Sequence, residues 1–371
     1  MTGTATIRYM GAYRERVQRP RFFSSPLFFQ TPPVAFHNAD TVEYDIIRQG
    51  QKIAVPVPSA TAGPRHIEIK KSVNKSWAPI VYKYQTSVNA AELNRRFPGK
   101  TPYDDVNMAA AAGELVMDGI DTIQTWIRDA IEVHCSELMQ TGTITPKDEN
   151  NDTVGSSYNF FPLDATGTVA SGDLIITSGV TAWATDGSTG DPITDLSGLA
   201  QNMRKRGYNP TRLIFGTSAW ERFIHNADVK TRMDLLRANF GTMSQATDPT
   251  GATRWGTFSI GDYSFELWVY GAMYELPYGS TMTPYLGANN VVMTAEGRRI
   301  LTFGEIARFE GVGNQQALSY LPRQMTFQQE GFALSLFAYF DQGCENLIVT
   351  AGTRVLPVPI SIDSCACITV A

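Results

Sequence analysis

The sequence is short of charge. Only 18% of its 371 residues are Asp, Glu, Lys or Arg, and 31 basic against 36 acidic residues leave a formal net charge of −5. That balance excludes a protein whose whole surface grips nucleic acid. Histidine and cysteine are scarcer still, at four each. His37, His66, His134 and His225 are scattered without an HExxH or any paired spacing. There is no Walker loop, no GxGxxG after a strand and no GxSxG elbow. Cys135, Cys344, Cys365 and Cys367 read as reduced thiols and not as a disulfide framework. No run of about 18 apolar residues is available to span a membrane. No apolar stretch follows the N-terminal arginines as a targeting peptide would require.

What remains is rich in β-forming and loop-forming residues. Hydrophobic residues make up 43% and aromatics 11%, with 31 glycines and 20 prolines. A mean hydropathy of −0.16 is that of a globular chain, not a disordered tail or a coiled coil. The charge is also unevenly placed. Residues 1–30 hold Arg8, Arg14, Arg16, Arg19 and Arg21 against Glu15, a local +4 on a body of −9. The first forty residues show neither helical nor strand periodicity and carry the aromatic pairs Phe22-Phe23 and Phe28-Phe29. Such a segment predicts an arm that lies along an acidic surface, that of another copy of the chain.

Between 41 and 88 two long extended runs surround a turn. Val42, Tyr44, Ile46, Ile53, Val55 and Val57 alternate in the first; Ile67, Ile69, Ile80, Tyr82 and Tyr84 alternate in the second. The turn holds Ala62, Gly63 and Pro64. A two-stranded ribbon of this length is marginal in water and needs support, which a neighbouring subunit would supply. A long helix is expected over 101–141. Thr101 is its N-cap, Pro102 opens it, and Asp104 and Asp105 lie in the first turn. Val116, Ile120, Ile123, Ile127, Ile131, His134 and Leu138 form one apolar stripe, and Gly142 supplies the stop. His134 reads as a packed core residue.

Residues 146–195 read mostly as loop, with a strand at Leu174, Ile175 and Ile176. Asp195 is expected to cap a helix that presents Leu196, Leu199 and Met203 and closes with Arg204, Lys205 and Arg206 before Gly207. A strand over 212–215 follows, then Ser218 and Glu221 as a capping box for the next helix. Residues 255–270 form a hairpin turning at Gly261 and Asp262, and strands recur over 332–340 and 347–349. Cys365 and Cys367 invite a metal reading, but alternation with Ile360, Ile362, Ile368 and Val370 favours a strand. Glu305 and Glu310 stand beside glycines without a catalytic pattern, and Lys70, Lys71 and Lys75 read as a solvated face.

This order of elements resembles that of tailed-bacteriophage major capsid proteins, the Hong Kong phage-type fold, and within it the lambda-like major head protein E family. Four stretches carry the resemblance. They are Phe22-Phe23-Ser24-Ser25-Pro26-Leu27-Phe28-Phe29 leading into Val42-Glu43-Tyr44-Asp45; Ile53-Ala54-Val55-Pro56-Val57 running to Gly63; Leu213-Ile214-Phe215 with Trp220 and Phe223; and 278–305 with Leu286-Gly287-Ala288-Asn289 and Gly297-Arg298-Arg299.

The resemblance implies an α+β fold with an N-terminal arm over 1–40, a long β-hairpin or E-loop over 41–88, and a peripheral domain with a spine helix over 89–145. An α/β axial domain with a loop-rich insertion would cover 146–312, and return strands 313–371. It implies a non-enzymatic shell protein forming hexamers and pentamers of an icosahedral head around packaged double-stranded DNA, held non-specifically. Such a protein would assemble in the host cytoplasm without membrane or cofactor. Its partners would be other copies of itself, a separate scaffolding protein and a portal, with a decoration protein as an optional addition. Expected inter-subunit contacts are Arg14, Arg16, Arg19, Arg21, Phe22, Phe23, Phe28, Phe29, Ala62, Gly63 and Pro64. The alternatives are a cellular nanocompartment shell of the same fold, or a β-rich hydrolase or carbohydrate-binding module.

Overall fold

The computed structural model describes residues 22–32, 36–37, 41–46, 73–89, 108–148, 152–160, 174–176, 182–184, 190–235, 246–247, 251–276, 282–304, 306, 326–329, 332–340, 346–358 and 359–370. Outside them lie Arg14, Arg16, Arg19, Arg21, Ala62, Gly63, Pro64, Lys70, Lys71, Thr101, Pro102, Cys344, Glu305 and Glu310. The chain is α+β; the described residues form two large sheets, three small two-stranded ones, two cores and one long helix packed between the large sheets.

That helix runs Met108–Thr141. Its 34 residues span roughly 51 Å at 1.5 Å per residue. The apolar stripe read from the sequence faces inward throughout: Val116, Ile120, Ile123, Ile127, Ile131, His134 and Leu138 are all buried. Gly142 stops it at φ 69°, a left-handed turn that glycine adopts without strain, and its N–H donates to the Leu138 carbonyl at 2.9 Å.

On one side the helix packs against a six-stranded sheet whose centre is the strand Asn346–Val358. Along one edge of that strand runs Ile80–Asn89, antiparallel, with Ile80 opposite Val355. The other edge is shared by Phe332–Phe340 and then Ile300–Gly304. The expected second ribbon strand therefore stops early. Val42–Ile46 pairs with Val73–Trp77, whereas Ile80, Tyr82 and Tyr84 belong to the sheet. Ala78 and Pro79 separate the two, and proline's missing N–H ends the ribbon ladder there.

On the other side lies a seven-stranded sheet that includes Asn290–Ala295 flanked by Pro210–Phe215 and Cys365–Thr369. Its side chains alternate with period two. Leu213, Phe215, Val291, Met293, Ala366 and Ile368 face a core shared with helices Pro192–Lys205 and Thr217–His225, while Ile214, Val292 and Cys367 face the long helix. The hairpin Ala252–Ile260 and Tyr263–Tyr270 turns at Gly261 as expected.

Two caps differ from expectation. The helix at 192 is capped by Asp191, whose carboxylate accepts from the backbone N–H groups of Ile193 and Thr194. Asp195 lies in the first turn and accepts instead from the Trp183 indole at 2.9 Å. The next helix starts at Thr217 after Gly216, with no side-chain cap, so Ser218 and Glu221 form no capping box.

Candidate assembly site at the root of the arm

The segment expected to lie on a neighbour is built into this subunit from Phe23 onward. Ser24–Phe28 forms one helical turn, correcting the expectation of an extended arm. Phe23, Phe28 and Phe29 are buried in the subunit's own core, and Phe22 is half-buried. Phe23 packs against Tyr270 and Trp268 at ring separations of 5.1 and 5.3 Å, and meets Phe28 edge-on at 5.8 Å. Within the single subunit these three rings are thus already covered by its own core. An apolar groove beside the long helix already exists within the chain, and burying each ring there is worth roughly 1.5–3 kcal/mol.

The groove is closed by a carboxylate. Glu132, fully buried on the long helix, accepts the backbone N–H groups of Phe23 at 3.2 Å, Ser24 at 2.5 Å and Ser25 at 2.8 Å. It thus satisfies the first donors of the arm helix, which no side chain of that helix caps. The Tyr270 hydroxyl donates to the same carboxylate at 3.1 Å. Burial, with the Glu132 charge beside it, holds Tyr270 protonated well above the usual phenol range, so it remains a donor. Beyond the helix, Gln30 N–H donates to the Arg299 carbonyl and Leu301 N–H to the Gln30 carbonyl, each at 2.9 Å. Phe36–His37 continues this contact as a parallel edge strand on Ile300–Gly304.

Glu132 belongs to a polar row that the sequence reading missed. Asp129, Glu132, Ser136 and Gln140 recur at three, four and four residues beside the apolar stripe. Tyr285 hydroxyl donates to Asp129 at 3.0 Å, and the Tyr285 carbonyl accepts from Ser136 Oγ at 2.7 Å and Gln140 Nε2 at 3.0 Å. Gln140 Oε1 accepts from Gly287 N–H and Asn290 Nδ2. The helical spacing was the available signal. What hid it was that the row reads, residue by residue, as an ordinary solvated face.

Elsewhere, His134 sits in the core with its Nε2 against the Tyr82 hydroxyl at 2.5 Å. Cys365 and Cys367 lie on the strand Cys365–Thr369. Arg299 is buried, and its Nη2 donates to the Ala295 and Ser364 carbonyls and to Ser364 Oγ. Among the described residues no group of three or more His, Cys, Asp and Glu is placed to hold a metal ion, and no helix is long and apolar enough to cross a membrane.

The model of phage major capsid protein E matches residues 8–331. The chain belongs to that family. No curated protein sequence matches it. Among solved structures, a prophage capsid protein of E. coli CFT073 is similar at a TM-score of 0.53 and 16% identity, over 81% of this chain and 80% of that one. A structure from Gordonia phage Cozz aligns over 99% and 91% of the two chains at 10% identity and a TM-score of 0.47. An encapsulin of Synechococcus elongatus PCC 7942 aligns over 93% and 85%, at 10% identity and a TM-score of 0.41. Fold and family agree: this phage major capsid protein has the expected α+β capsid fold, and its role is that of a structural shell subunit of the virion.

Proposed function

We propose that copies of the chain form hexamers and pentamers that tile an icosahedral shell around double-stranded DNA. Family membership over residues 8–331 carries the reading. Assembly would take place in the host cytoplasm with a separate scaffolding protein and a portal, with a decoration protein optional, and without catalysis by the subunit. The acidic body, −9 beyond residue 30, suits a container that must enclose DNA without binding it through many phosphate contacts.

In this reading the ribbon Val42–Ile46 with Val73–Trp77 is the base of the E-loop, whose turn at Ala62, Gly63 and Pro64 contacts a neighbour. Met108–Thr141 is the spine helix of the peripheral domain, and the seven-stranded sheet is the centre of the axial domain. Arg14, Arg16, Arg19 and Arg21 remain proposed contacts to the next subunit, on the part of the arm that precedes its buried root. Negative-stain imaging of the purified protein, with and without a scaffold partner, is the test. Closed shells are expected, and a compact monomer under all conditions would overturn the reading. A cargo enzyme that copurifies inside the shells would instead favour a nanocompartment.

A further inference from the structure

We propose that Glu132 is the positioning residue of the arm: its charge fixes where the N-terminal segment leaves the subunit, and loss of that charge frees the segment through Phe29 while both cores stay folded. The proposal rests on the assembly reading above.

Three observations support it. Glu132 is fully buried, and among the described residues no Lys, Arg or His lies within ion-pair distance of it. Stability alone would favour an apolar residue there, since a buried charge without a counter-ion is costly. Of its buried neighbours along the helix, Ile127, Ile131 and Cys135 are apolar, and Ser136 is occupied with the Tyr285 carbonyl. What the carboxylate adds is direction. Its two oxygens take three successive arm N–H groups, which sets both the place and the orientation of one helical turn.

Release is also local. The pairing of Asn346–Val358 with its three neighbouring strands does not pass through residues 22–30, whose described backbone ties outside their own helical turn run to Glu132 and to the edge at Arg299 and Leu301. When the arm leaves, Glu132 meets water, where a charge is well solvated. Glutamine at this position would offer one acceptor and one NH2 group, and the NH2 would oppose the arm's N–H donors.

Hydrogen exchange of the full-length subunit, read segment by segment, tests this beside electron-microscopic counts of shells. In Glu132→Gln the amides of Phe23, Ser24 and Ser25 should exchange about ten- to a hundredfold faster, with residues 346–358 unchanged. Shell yield should fall at least about tenfold, and Glu132→Asp should recover part of both. Tyr270→Phe, which removes a single donor, should loosen the same three amides by a smaller factor. Arm amides that stay protected in Glu132→Gln would overturn the proposal. So would exchange that rises equally in the arm and in 346–358 in both Glu132→Gln and Tyr270→Phe. If the exchange result holds but the unsubstituted protein never forms shells, the assembly reading fails and the positioning role stands.

Discussion

Gly119 of the long helix lies against Thr86 of the strand Ile80–Asn89 so closely that a methyl group on its α-carbon would stand 2.7 Å from Oγ1 and 2.8 Å from Cγ2. Helix and sheet touch here backbone to side chain. Alanine at 119 should therefore destabilise the subunit by about 1–3 kcal/mol through overpacking, despite a helix-propensity gain of about 1 kcal/mol. Thr86→Ala alone should cost less. The double variant should be more stable than Gly119→Ala alone, a coupling that thermal melts of all four proteins would read. Additive effects would show that the two residues do not share this contact.

Truncation separates the arm from its root. Removing residues 1–21 should leave the melting temperature nearly unchanged and impair assembly. Removing residues 1–30 takes away Phe23, Phe28, Phe29 and the Gln30 pairing. Loss of a buried phenylalanine costs about 3–5 kcal/mol, against a typical total of about 5–15. The longer truncation should therefore melt well below the parent and assemble poorly, with the strand pairing of residues 346–358 kept. A normal melting temperature for it would contradict the buried root.

Replacing Arg14, Arg16, Arg19 and Arg21 by Gln should weaken assembly mildly, as added salt does, because exposed ion pairs are worth only about 0–1 kcal/mol each. Light scattering across a salt series would follow it. Assembly insensitive to both the substitutions and salt would remove the arginines from the interface.

Glu266 sits between Arg212 and Arg254 on adjacent strands, at 3.1 and 2.8 Å. Burial alone would raise its pKa, but the hydrogen bond from Arg212 and the charge of Arg254 hold it below the ordinary carboxylate value. A depressed folded-state value stabilises the fold above the ordinary carboxylate range, and that contribution is lost as pH falls through it to the lowered value. Glu266→Gln should therefore melt lower than the parent at pH 7, and the gap should close towards about pH 3. A gap independent of pH would refute the assignment.

Three thiols should be inert in the folded subunit. Burial raises Cys135 well above the usual range and Cys365 above it. Burial, with Cys365 nearby, pushes Cys367 up to about 12. A thiol reagent at pH 8 should label all three only after denaturation, as peptide mass spectrometry would show. Rapid labelling of Cys367 in the native protein would argue against its burial in the sheet.

Elements with strong periodicity are legible in the sequence. The apolar stripe of the long helix, the hairpin at Gly261 and the strand Phe332–Phe340 follow from local spacing. Where expectation failed, the cause was tertiary. Ile80, Tyr82 and Tyr84 alternate equally well in a ribbon or a sheet, and only Val355, far along the chain, decides between them. Phe23, Phe28 and Phe29 read as sticky and in need of a partner. Their partner was Glu132 with Trp268 and Tyr270, more than a hundred residues away. Asp191 displaced Asp195 as cap because Pro192 fits the first helical turn.

The strands at 346–358 and 365–369 complete one sheet each, although most of their partners are made much earlier in the chain. At about 5–20 residues per second, Ile80–Asn89 waits on the order of tens of seconds for its pairing strand to leave the ribosome. Such distant pairings also fold slowly. A growing chain therefore cannot present the finished surface of the long helix and its two sheets. Translation itself acts as a timer, so subunits become competent to join a shell only once residues 346–369 have left the ribosome.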